Sequence, residues 1–210
     1  MNTDFIIKVC GMRDAANIRD VESLPGVDFM GFIFWPRSGR YVAERPSYLP
    51  RKARRVGVFV NEDLERVRQI AADYALDLIQ LHGNESPEYV RQLKDWQIVK
   101  AINIATADDF LQTSAYEGLA DYFLFDTRKT AEGTLLPGGT GEHFDWTVLA
   151  AYHGSTPFLL SGGIGPGDAA SVKALRHPRF AGIDLNSRFE LIPGLKDVNK
   201  LKSFIKQIKS

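Results

Sequence analysis

The chain has 210 residues, 44% hydrophobic and 25% charged, with 26 Lys+Arg against 26 Asp+Glu and a formal net charge of zero. That composition is globular and excludes disorder and collagen-like repeats. The charge balance gives no basic footprint for nucleic acid or an anionic membrane surface, and no run of roughly 18 apolar residues is present, so small molecules are the expected partners.

The first apolar run, residues 5–10, contains Lys8 and lacks a basic leader or a small-residue cleavage site, which points to a protein that is not exported. Its lone cysteine, Cys10, cannot form an internal disulfide and fits a reducing, cytoplasmic setting. Further apolar runs follow at residues 28–34, 55–60, 77–81, 98–102, 122–125, 157–160 and 180–185. They are continuous, not alternating, as strands covered on both faces are, and so predict a parallel sheet.

Helical periods lie between these runs. Leu64, Val67, Ile70 and Ala71 share a face, Ser86 caps a turn that carries Val90 and Leu93 inward, and Leu201, Phe204, Ile205 and Ile208 line the C-terminal segment. Strand and helix therefore alternate eight times, which predicts a single (βα)8 TIM-barrel domain over residues 1–210. An open doubly wound sheet would carry a Gly-rich dinucleotide turn after the first strand. The segment Cys10-Gly11-Met12-Arg13-Asp14 has one glycine only.

In such a barrel the site is built at the C-terminal ends of the strands. Cys10 ends the first, as a buried small hydrophobe or as a base whose pKa is lowered by Arg13, Lys8 or the next helix N-terminus. Asp126 follows three large apolar residues on the sixth. Burial there would raise its pKa and make it a general acid, unless it pairs with Arg128 or caps the next segment. His82 could be acid, base or hydrogen-bond donor, and without a second histidine at ligand spacing no metal is expected. Lys100 is the one candidate for a Schiff-base lysine. Gly162 and Gly163 after the seventh strand, with Asn186 and Ser187 after the eighth, either turn the chain or offer backbone donors to a phosphate. The loop 127–143, with four glycines, reads as a lid or binding loop.

These positions fall in a set of motifs: Lys8-Val9-Cys10-Gly11, Gly31-Phe32-Ile33-Phe34, Ser38-Gly39-Arg40-Tyr41-Val42, Gln80-Leu81-His82-Gly83-Asn84-Glu85, Phe125-Asp126-Thr127, Leu160-Ser161-Gly162-Gly163-Ile164 and Gly182-Ile183-Asp184. Together they run from the first strand to the last, and the chain resembles the phosphoribosylanthranilate isomerase family of tryptophan biosynthesis, a ribulose-phosphate-binding type of barrel. The resemblance implies an aldose–ketose isomerase that performs an Amadori rearrangement. Cys10 would be the general base at sugar C2, and Asp126 the general acid at the ring oxygen. Arg40 would hold the anthranilate carboxylate and His82 would contact the substrate. Gly162, Gly163, Asn186 and Ser187 would bind the phosphate.

It implies a phosphosugar substrate, no cofactor, no metal, and a monomer or homodimer. The related sugar-isomerase barrel of histidine biosynthesis carries an aspartate where Cys10 stands. A non-catalytic sugar-phosphate binder would need neither Cys10 nor Asp126. One departure lies after the eighth strand, where the family's Ser-Ser-Gly-Val-Glu is replaced by Asn186-Ser187-Arg188-Phe189-Glu190. Arginine tolerates positive φ poorly, so Arg188 either changes the loop backbone or adds a phosphate contact.

Overall fold

Branched and aromatic residues in unbroken runs favour extended backbone buried on both sides. Eight strands form where those runs occur: β1 (Ile6–Cys10), β2 (Phe29–Ile33), β3 (Arg54–Phe59), β4 (Leu78–Leu81), β5 (Gln97–Asn103), β6 (Tyr122–Asp126), β7 (Phe158–Ser161) and β8 (Phe180–Leu185). In this computed structural model all are parallel and close in the order β1-β8-β7-β6-β5-β4-β3-β2. The described residues are 5–126, 130–131, 134–135 and 146–210. Arg128 and most of the predicted loop 127–143 lie outside them.

The outer layer departs from eight full helices. It consists of α1 (Ala15–Glu22), α2 (Leu64–Tyr74), α3 (Pro87–Arg91), α4 (Ala169–Ala174) and α5 (Val198–Lys209), with 3-10 turns at Ala107–Ala115 and Trp146–Ala151. Residues 34–53 link β2 to β3 without a helix. Pro36, Pro46 and Pro50 remove amide donors along that stretch and break any helical ladder. In Ala107–Ala115, the hydroxyls of Thr113 and Ser114 donate to carbonyls three residues back, a local bond that competes with the α-helical one.

The predicted helical faces are buried as expected. Val67, Ile70 and Ala71 of α2 and Leu201, Phe204, Ile205 and Ile208 of α5 face the barrel, while Leu64 is half-buried. Ser86 accepts from the Tyr89 amide and caps α3. No helix among the described residues is long and apolar enough to cross a membrane.

Alternation along each strand sends one set of side chains toward the helices and the other into the barrel. Phe29, Val56, Leu78, Val99, Ala101, Leu124 and Leu159 form an apolar plug distinct from the outer core. Toward the strand C-termini the lumen turns polar. Lys8, Gln80 and Asp184 are buried there, and Cys10 and His82 follow Lys8 and Gln80 by two residues on the same face. The apolar plug closes one end of the barrel, so the polar chemistry gathers at the other.

Candidate active site

Cys10 ends β1 and is buried. Beneath it, the Lys8 ammonium is wholly enclosed and pairs with Asp184 on β8 at 2.8 Å. The Ser161 hydroxyl at the end of β7 donates to the second Asp184 oxygen at 3.5 Å. Cys10 lies opposite Gly31 of β2 in the sheet register. A Cβ on that glycine would sit 2.7 Å from Sγ and 3.2 Å from Lys8 Nζ, so the thiol and the ammonium occupy space that only glycine leaves open.

Burial pushes the Cys10 thiol up, Lys8 pulls it down, Asp184 pushes it up again and Lys196 pulls it down, with a net rise. The expected net lowering by neighbouring cations is thus corrected, because desolvation outweighs them. Arg13 is engaged elsewhere. Its guanidinium donates to the Gly39 and Pro193 carbonyls at 3.2 and 2.9 Å and braces two loops. Burial opposes the charge on Lys8 as well, but Asp184 and Cys10 more than offset it and raise its pKa.

Asp126 ends β6 and is buried. His82 follows β4 and points its Nε2 at Asp126 Oδ2, 3.5 Å away. Gln80 Nε2 lies 3.0 Å from the other ring nitrogen, Nδ1. In the arrangement in which the Gln80 amide N–H donates to Nδ1, the neutral ring carries its proton on Nε2, facing Asp126. The structure therefore joins two residues that sequence reasoning treated separately, and Gln80, which it missed, orients the ring. The signal was present in the strand period, since Gln80 lies two residues before His82.

Lys100 faces out of the lumen, because its neighbours Val99 and Ala101 fill the plug. Its ammonium donates to the carbonyls of Gly83, Leu81 and Ala101 at 2.7, 3.3 and 3.3 Å and pairs with buried Glu85 at 3.1 Å. Glu85 in turn accepts from the amides of Asn61 and Gly83. This is a brace for the loop that carries His82, and the Schiff-base candidacy is set aside. Lys100→Met leaves Glu85 as an uncompensated buried charge. It is expected to lower unfolding stability by about 3 kcal/mol, measured by urea denaturation.

Arg40, in the segment after β2, meets the Glu190 carboxylate through Nε and Nη2. Glu190 also accepts from Lys196 Nζ at 2.7 Å. Burial works against its charge, but Arg40 and Lys196 hold the carboxyl below its ordinary pKa. Lys196 also reaches Asn186 Oδ1 at 2.8 Å, which ties this cluster to the loop after β8. Sequence reasoning gave neither Glu190 nor Lys196 a role. Lys196 is brought in by a short hairpin, Glu190–Ile192 with Leu195–Lys196, and nothing local marks it.

Gly162 and Gly163 follow β7 with φ of +97° and +76°, the left-handed region that glycine occupies without strain. Both are thus required by the turn itself. Ser187 opens a 3-10 turn, Ser187–Phe189, directly after Asn186. Arg188 is exposed and is not among the positive-φ residues, so the loop backbone accommodates the arginine without the glycine conformation. Its side chain lies across the loop after β7, where a Cβ on Gly165 would come within 3.6 Å of it.

Comparison with known proteins gives a consistent picture. A model of the N-(5'phosphoribosyl)anthranilate (PRA) isomerase family matches residues 7–207. The N-(5'-phosphoribosyl)anthranilate isomerase of Parabacteroides distasonis is 52% identical over 212 residues, covering 97% of this chain and 93% of its own. Among solved structures, a phosphoribosyl anthranilate isomerase in complex with reduced 1-(o-carboxyphenylamino)-1-deoxyribulose 5-phosphate superposes with a TM-score of 0.80 at 29% identity, covering 98% of both chains. Monomers generated from the dimeric enzyme of Thermotoga maritima give 0.79 at 28% identity, covering 98% of this chain and 99% of that one. The family match covers all eight strands of the barrel except the first residue of β1, including the two strand ends that carry the buried thiol and carboxyl, and the chain belongs to the N-(5'-phosphoribosyl)anthranilate isomerase family.

Proposed function

We propose that this protein isomerises N-(5'-phosphoribosyl)anthranilate to 1-(2-carboxyphenylamino)-1-deoxyribulose 5-phosphate, an Amadori rearrangement in tryptophan biosynthesis. The observation that carries the reading is a buried thiol at the end of β1 and a buried carboxyl at the end of β6, at the polar end of a barrel of this family. Asp126 gives a proton to the ring oxygen of the sugar as the C1–O bond breaks, and the substrate's own nitrogen takes up the resulting cation. Cys10 then removes the proton from C2, and the enolamine becomes the ketone as C1 takes up a proton and the C2 hydroxyl loses one. The nitrogen supplies the electron sink that a lysine Schiff base would otherwise provide. His82 Nε2–H faces the Asp126 carboxylate that remains after the first transfer, and stabilises it.

Arg40 holds the ring carboxylate by a charge-assisted pair. Gly162, Gly163, Asn186 and Ser187 supply the phosphate cradle, with Arg188 beside it. Residues 1–210 act as one catalytic domain in the cytoplasm, as a monomer or a homodimer, and the dimeric enzyme of Thermotoga maritima supports the second state. Carbon-13 NMR of substrate labelled at C1 tests the chemistry. The anomeric signal converts to a methylene signal if the rearrangement occurs, and persists or gives free sugar if it does not.

Because the thiolate is the base and its pKa is raised, kcat/KM is expected to climb with pH from neutrality upward. Lys8 is the strongest influence holding that value down. A pH–rate profile of Lys8→Met should therefore rise later, at higher pH, than that of the wild type.

A further inference from the structure

The guanidinium of Arg40 is gripped along one edge. Nε lies 2.9 and 3.0 Å from the two Glu190 oxygens, and Nη2 lies 2.6 Å from Oε2. A guanidinium carries two such edges, and Nη1 makes no hydrogen bond among the described residues. Glu190 is itself held firmly. Its side chain is 4% exposed and accepts from Lys196 Nζ at 2.7 Å and from the Gly194 amide at 3.0 Å. Lys196 is anchored in turn by paired bonds between its backbone and the Asn17 side chain on α1, at 2.8 and 2.9 Å. A chain of contacts thus runs from a helix of the outer layer, through two buried charges, to one arginine at the mouth of the barrel.

We propose that Glu190, backed by Lys196, is a positioning residue that sets selectivity for the substrate's ring carboxylate: it clamps Arg40 by the Nε–Nη2 edge and leaves the Nη1–Nη2 edge as a preformed fork. This rests on the reading of Arg40 given above. An unclamped arginine would have to give up rotamer freedom on each binding event, and would present its charge without the planar alignment that a carboxylate pair requires. Gly11 makes the arrangement possible, since a Cβ there would stand 2.7 Å from Arg40 Cδ and 2.9 Å from Asn186 Oδ1. Arg40, the phosphate-loop residue Asn186 and the backbone next to Cys10 therefore meet at one point.

The test compares kcat/KM for phosphoribosylanthranilate with that for the same aldosylamine built on aniline, which lacks the carboxylate. The wild type favours the carboxylated substrate. Arg40→Ala and Glu190→Gln should each lower kcat/KM for it by between about ten- and a hundredfold, mostly through KM, and collapse the ratio between the two substrates. Glu190→Gln leaves Lys196 buried without its counter-charge. Should that variant fail to fold, Glu190→Asp keeps the charge, withdraws the carboxylate by one methylene and should collapse the ratio as well. Collapse in Arg40→Ala with the ratio kept in the Glu190 variants, or equal losses on both substrates in those variants, overturns the proposal alone. A ratio kept in Arg40→Ala overturns the reading of Arg40 and the proposal with it.

Discussion

Cys10→Ser is expected to lower kcat by about 10²- to 10⁴-fold, the usual contribution of a positioned acid or base. The substitution preserves size and burial but replaces a thiol by a hydroxyl that does not ionise under the same conditions. The enclosed Lys8 ammonium, paired with Asp184 at 2.8 Å, can assist a thiolate but cannot bring a serine hydroxyl into range. Binding of a product analogue should survive, because the phosphate and carboxylate contacts are made by other loops. Steady-state kinetics beside a binding titration separates the two effects. A serine variant that turns over at near the wild-type rate would remove Cys10 from the mechanism.

Asp126→Asn should cost a comparable factor, about 10²- to 10⁴-fold in kcat, by a different route. Asparagine is nearly isosteric and keeps an oxygen facing His82 Nε2, which lies 3.5 Å from the carboxylate, so the local structure should persist. What is lost is the proton for the departing ring oxygen. Ring opening then becomes the slow step, and loss of rate without loss of affinity is the expected signature in single-turnover experiments. Near-normal turnover would show that the acid is some other group.

The fold was legible because its determinants are local. Continuous apolar runs mark strands buried on both faces, and each predicted run contains most of a barrel strand. The outer layer was less legible. The proline-broken segment after β2 and the hydroxyl-capped 3-10 turn after β5 lose their helices to effects that periodicity does not weigh. At the site, Cys10 and Asp126 could be picked out because strand ends are where such a barrel places its chemistry. Their environment could not be read in the same way. The balance at Cys10 depends on Asp184 and Lys196, which are distant in the chain and arrive only when the barrel and its last hairpin close. Arg40 was found by motif, but Glu190, its partner, is 150 residues away. Lys100 shows the reverse case. A lysine on a barrel strand fits a Schiff-base reading until strand parity turns it away from the lumen.

The most direct test is to follow the fluorescence of phosphoribosylanthranilate on addition of the purified, folded protein without any added cofactor. The fluorescence should decay at a rate proportional to enzyme concentration and far above the spontaneous loss, and Cys10→Ser and Asp126→Asn proteins should leave it close to the spontaneous rate. A folded wild-type protein that fails to accelerate the decay would contradict the assignment and leave a sugar-phosphate-binding barrel in its place.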